Sequence, residues 1–274
     1  MDASWFAPVM AYCERLDGGF WAEPLNAVSN GAFIAAAGAA VLRERRAHHR
    51  DPAALVLAAL VAVVGIGSFL FHTLANRWSM LADVIPIGLF IYAYVLLAMR
   101  RFLGLPSFPA VAITLAFAGL NLGFAAMADR VLGQSSAALT NGSIDYVPAV
   151  LALLGVGGVL TRSTTPARRR AGLSLLGIAA LFLLSLTFRT IDRSVCAVLA
   201  SGTHFLWHLL NALVLYRLIV TALHFGDSEF LSGDLDLPAM RSMAGLGNRS
   251  RRARPRTMQA TASGPPRPRT PWTL

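Results

Sequence analysis

A chain of 274 residues in which 55% are hydrophobic and 14% charged carries too much apolar surface to hide inside a water-soluble globule, where about 25% charged residues is usual. The same apolar richness excludes intrinsic disorder over most of the length. A formal charge of +10 raises the prospect of nucleic-acid binding, a reading that depends on where the charges fall.

Residues 1–23 contain Trp5, Glu14, Asp17 and Glu23 and no basic start. They read as an extracytoplasmic segment, not as a signal peptide. Seven stretches then meet the length of roughly 20 apolar residues that a spanning helix needs: 24–42, 53–74, 81–99, 108–127, 144–161, 171–189 and 203–223. The runs are long and continuous and lack the short alternation of a barrel strand, so they predict helices. The expected fold class is all-α: a polytopic membrane protein whose seven-transmembrane bundle occupies 24–223. From 224 the composition turns to Arg, Pro, Ser and Gly, which predicts a basic, disordered cytoplasmic tail over 224–274.

All 24 basic residues are Arg, and eighteen of them fall in the first, third and fifth separators and the tail. The positive-inside rule therefore places the N-terminus outside and the C-terminus in the cytoplasm. The basic excess reports orientation, and its expected partner is anionic lipid headgroups at the cytoplasmic face, not nucleic acid. The Arg-only, Ala-rich usage points to a bacterial inner membrane. No feature of the sequence points to an oligomeric state.

Ionisable groups are costly inside a bilayer, so each is a candidate for function. Ser68 and His72 stand at i and i+4 in the second span, on one helix face. Asp83 lies near the start of the third span, and His204 and His208 stand at i and i+4 at the start of the seventh. Alternating span direction brings all five to one depth, near the outer leaflet. Three neutral imidazoles suit zinc, which in catalytic sites takes three protein ligands and keeps one position open. His48, His49 and His224 fall at the cytoplasmic side and are excluded. Blander readings stand beside this one: a packed histidine, a serine bonded one turn back, or Asp83 as the cap of the third helix, a role for which Ser79 competes.

With these residues assembled, the chain resembles the alkaline ceramidases, within a wider superfamily of seven-span membrane hydrolases and progestin/adiponectin-type receptors. The segments CERLDGGFWAEPLNAVSN (13–30), GSFLFHTLANRWSMLADVIP (67–86), IDRSVC (191–196) and THFLWHLLNAL (203–213) carry the likeness. The resemblance implies a zinc amidohydrolase. His72, His204 and His208 would be the metal ligands, Asp83 the general base and acid, and Ser68 a donor to the developing oxyanion. It implies a long-chain N-acyl lipid, most specifically ceramide, reaching the site sideways from the bilayer. It also implies a calcium site at Glu14, Asp17 and Glu23, although Ala11 and Leu16 depart from the acidic and amide positions of that pattern. Cys13 and Cys196 both fall on the outer side, where a disulfide is allowed, and the family pattern pairs them. Two other classes stay open: a receptor or sensor of the same superfamily without turnover, and a transporter or channel. The nearly unbroken Ala, Leu, Val, Ile and Phe in the cytoplasmic halves of the spans disfavours the latter.

Overall fold

A computed structural model describes the backbone of residues 4–249 and the side chains of 4–228. Among the described residues there are no β-strands. Seven helices are long and apolar enough to cross a membrane: α1 (Pro24–Arg45), α2 (Pro52–Leu74), α3 (Arg77–Phe102), α4 (Ser107–Leu132), α5 (Ser143–Thr161), α6 (Pro166–Ser194) and α7 (His204–Ser228). At 1.5 Å per residue the 23 residues of α2 span about 34 Å, against a hydrocarbon core of about 30 Å. The chain is an integral, multi-pass membrane protein.

Local chemistry fixes the helix ends. Proline opens α1, α2 and α6, where its missing N–H costs nothing and its fixed φ suits the first turn. Helix α3 starts earlier than its apolar run does. The Asn76 side chain accepts from the Ser79 amide at 3.1 Å and the Ser79 hydroxyl accepts from the Asn76 amide at 3.2 Å, a capping box worth about 1 kcal/mol. That box leaves Asp83 free of any capping duty. Helix α6 begins at Pro166 and takes in Arg168, Arg169 and Arg170, ahead of the apolar run that starts at 171. The last helical stretch runs from His204 to Arg249, so 224–249 is helical where the composition predicts an unstructured tail. Once a helix is nucleated, each added residue gains a hydrogen bond at little cost. Residues 250–274 of the expected tail lie outside the described residues.

Within the compact unit Met1–Leu231, α2 lies against α1 and α3, and α5 against α6. Gly67 permits the closest of these approaches: a Cβ there would overlap the Ala82 carbonyl. Because Ser68 follows Gly67 and Asp83 follows Ala82, this contact sets the two polar residues side by side. Helix α7 is tied to its neighbours by Tyr94 donating to the Leu218 carbonyl (3.0 Å) and Ser185 donating to the Trp207 carbonyl (3.2 Å). Val56, Val63 and Ile66 of α2 and Leu115 and Leu122 of α4 are exposed, as side chains that meet lipid must be.

At the end of the bundle away from the imidazoles, Asp51 caps α2 by accepting from the Ala54 amide at 3.2 Å. It also takes a two-pronged contact from Arg101, at 2.5 and 2.9 Å. Burial pushes the Asp51 carboxyl up, but the Arg101 guanidinium outweighs it and holds it below the usual carboxylate range. A depressed value means that the stabilisation is present at neutral pH and is lost as pH falls through that lowered value. Asp51→Asn keeps the cap and removes the charge pair, and is expected to cost about 1–3 kcal/mol at neutral pH. Thermal unfolding in detergent should show the gap to wild type closing on acidification; a gap independent of pH would contradict the role given to the pair.

Candidate active site

The site is built where α2 ends and α3 and α7 begin. His72 lies two residues before the end of α2, Asp83 in the second turn of α3, and His204 is the first residue of α7. His72, His204 and His208 are all fully buried. Their ring centroids are 5.1 Å (72–204), 4.7 Å (72–208) and 4.6 Å (204–208) apart. One ring nitrogen from each lies within 4.8 Å of the others. Asp83 and Ser68 are both buried, and the two side chains interact.

The hydrogen bonds around the imidazoles decide their tautomers. Glu23, an acceptor, sits 2.5 Å from His72 Nδ1, so that nitrogen carries the proton and Nε2 is bare. Ser29 Oγ donates its only proton to the Asn26 carbonyl at 2.9 Å and lies 2.7 Å from His208 Nδ1. It therefore accepts from Nδ1–H and leaves His208 Nε2 bare as well. His72 Nε2 and His204 Nδ1 are buried without any hydrogen-bond partner. A buried polar atom left unpaired is costly, and three clustered imidazoles, two of them with an unpaired buried nitrogen, fit a borderline-soft divalent cation such as zinc.

The N-terminal segment closes this end of the bundle. Its first residues pair with the turn between α2 and α3: Val9 donates to the Ala75 carbonyl at 2.8 Å and Arg77 to that of Ala7 at 3.1 Å. Cys13 and Cys196 are joined in a disulfide with their Cα atoms 5.3 Å apart. Between those anchors Tyr12 stacks on His204 at 3.7 Å between ring centroids. Burial pushes the Tyr12 hydroxyl up to about 12, against the pull of the Arg189 guanidinium.

Glu14, Asp17 and Glu23 do not converge on a point. Among the described residues, the three histidines form the only group of three or more His, Cys, Asp or Glu placed to share a metal ion. Glu14 accepts from the Leu25 and Asn26 amides at 2.7 and 2.9 Å, and Asp17 from the Gly19 amide at 2.7 Å. Glu23 is engaged by Arg15, His72 and Asn26. Burial pushes its carboxyl up, and those hydrogen bonds outweigh it and hold it below the usual range. Arg15 also donates to the carbonyls of Asp17 (3.1 Å), Gly19 (3.3 Å) and His72 (2.8 Å). A guanidinium thus takes the oxygens that a hard cation would need, and the three carboxylates do not fit a calcium site. Glu23 instead orients a histidine of the trio, as carboxylates beside metal-binding histidines commonly do.

Several residues that matter here carried no role in the sequence reading. Asp192 is fully buried; it accepts from the Thr203 and His204 amides at 2.7 and 2.9 Å and from the Cys13 amide at 3.2 Å. One carboxylate thereby fixes the first turn of α7, its histidine and the N-terminal segment together. Gly202, at φ +61, has no room for a Cβ against that carboxylate and Cys13. The run IDRSVC held the signal for Asp192. Arg189 lies in the last turns of α6 beside Tyr12.

A family model described as Ceramidase matches residues 12–229, which covers Tyr12, the disulfide and all seven spans. No curated protein matches the chain. With the match extending over most of its length, the chain belongs to the ceramidase family, whose chemistry is the hydrolysis of lipid amides.

Proposed function

We propose that this protein is a zinc-dependent intramembrane hydrolase that cleaves the amide bond of a long-chain N-acyl lipid, with ceramide split to a sphingoid base and a fatty acid as the best-supported case. The observation that carries the reading is the buried trio of imidazoles, two of which hold an unpartnered nitrogen, beside one buried carboxyl. His72, His204 and His208 are the residues that would hold the ion. When bound, zinc supplies Lewis acidity that makes hydrolysis feasible near neutral pH.

The chain's own residues do the rest. Asp83 accepts a proton from the attacking water and returns it to the departing amine as the C–N bond breaks. Ser68, beside Asp83, donates to the acyl oxygen as it gains negative charge, a contribution of about 2.7–4 kcal/mol in comparable sites. Ser68 is not the nucleophile, because all three nearby imidazoles are committed to the ion. An apolar cavity lined by Ile87, Phe90, Tyr94, Tyr146, Phe182 and Asn211 among others lies between α3, α5, α6 and α7. Ile87 and Asn211 lie one turn beyond Asp83 and His208, so an acyl chain in this cavity would present its amide to the polar cluster. The arginine distribution supports a site on the periplasmic side of a bacterial inner membrane and contact of the opposite face with anionic headgroups.

Metal analysis of detergent-purified protein tests the reading. About one zinc per chain is expected, and protein purified without chelators that carries no transition metal would overturn it.

A further inference from the structure

Arg189 is a half-buried cation that feels the charges of Asp83 and Asp145 but has no carboxylate in direct contact. Its guanidinium carbon lies 5.9, 5.6 and 5.4 Å from the ring centroids of Tyr12, Tyr146 and Trp207. One of its terminal nitrogens donates to the Tyr12 hydroxyl at 3.2 Å. Its Nε is buried without a hydrogen-bond partner, and none of the ion pairs among the described residues includes it. Aromatic faces soften the burial of a guanidinium, but they leave its Nε–H unsatisfied. A cation inside a membrane protein without a directly paired carboxylate marks a place where an anion can bind.

The position says which anion. On one side, Tyr12 stacks on His204 at 3.7 Å. On the other, Trp207 packs against Tyr146 (5.1 Å) and Phe182 (5.9 Å), and both of those residues line the apolar cavity. The guanidinium therefore stands between the three imidazoles and the cavity. A ligand that suits both has an anionic head and a long apolar tail.

We propose that Arg189 is a carboxylate anchor, binding the head of a long-chain fatty acid whose tail lies in the apolar cavity. The inference rests on the hydrolase reading for the origin of that ligand: cleavage of an N-acyl lipid leaves an acid that is ionised at neutral pH. A carboxylate is acceptor-only and matches the planar donor fork of arginine. The neutral amide of the uncleaved lipid has no such need of a cation, so Arg189 distinguishes product from substrate.

The test is equilibrium binding of radiolabelled palmitate and of hexadecanol, which has the same chain and no charge, to the full-length protein in detergent. It is run on metal-loaded and on chelator-treated protein, so that an ion in the imidazole trio is not the only positive charge read. Arg189→Gln should weaken palmitate binding about tenfold or more in both preparations and leave hexadecanol binding unchanged. Arg189→Lys should recover part of the loss. Unchanged palmitate binding in Arg189→Gln overturns the proposal, and so does an equal loss of both ligands, which would mark a structural role. Binding is read without turnover. Protein that holds palmitate through Arg189 yet cleaves no amide would sink the hydrolase reading and keep the anchor.

Discussion

Asp83→Asn should lower amide turnover by about 10²- to 10⁴-fold while the purified variant keeps the metal content of wild type. The substitution preserves shape and removes only the ability to take up a proton. Asp83 is held by packing, through the Gly67–Ala82 approach of α2 and α3, and not by a capping bond that Asn would have to reproduce, since Asn76 and Ser79 cap α3 between themselves. The three imidazoles reach their common point without it. Turnover and metal content measured on the same preparation separate proton transfer from metal binding. Full activity in Asp83→Asn would remove the residue from the chemistry, and loss of metal would recast it as a ligand.

His208→Ala should abolish both metal retention and turnover. Two remaining imidazoles fall short of the three ligands a catalytic zinc site uses. The deleted ring is the one whose orientation is set from α1 through Ser29. Because a buried ring is also being removed, some intrinsic stability is lost too. The response to chelation separates the two effects. Wild-type protein should melt at a lower temperature once its metal is stripped, since a ligand that binds only the folded state stabilises it by mass action, by about 4 kcal/mol at a thousandfold excess over Kd. His208→Ala should melt at one temperature with or without chelator. A variant that still shifts on chelation would place the metal elsewhere.

The bundle and the imidazole trio were legible in the sequence because each depends on a short-range pattern. Apolar runs of membrane length announce the spans, and i,i+4 spacing puts Ser68 with His72 and His204 with His208 on single helix faces. What was illegible depends on contacts between distant segments. Glu23 meets His72 across a separation of 49 residues, and nothing local distinguishes a carboxylate that orients a histidine from one that binds calcium. Arg15, two residues after Cys13, has no local pattern that would place it among the oxygens of Asp17, Gly19, Glu23 and His72, where the fold sets it. For Arg189 a charge tally sees the sign but not the three rings around it. Helix boundaries shifted for a local reason: the capping box of Asn76 and the arginine-rich first turn of α6 extend helices beyond their apolar cores.

The most direct test is to incubate purified wild-type protein and His208→Ala with a long-chain ceramide in mixed micelles and to quantify the lipids by mass spectrometry. The structure leads to release of fatty acid and free sphingoid base in equal amounts by wild type, stopped by chelation and restored by zinc, with none from His208→Ala. Intact ceramide with zinc-loaded wild type, or equal cleavage by both proteins, would contradict a zinc-dependent ceramide hydrolase built on these three histidines.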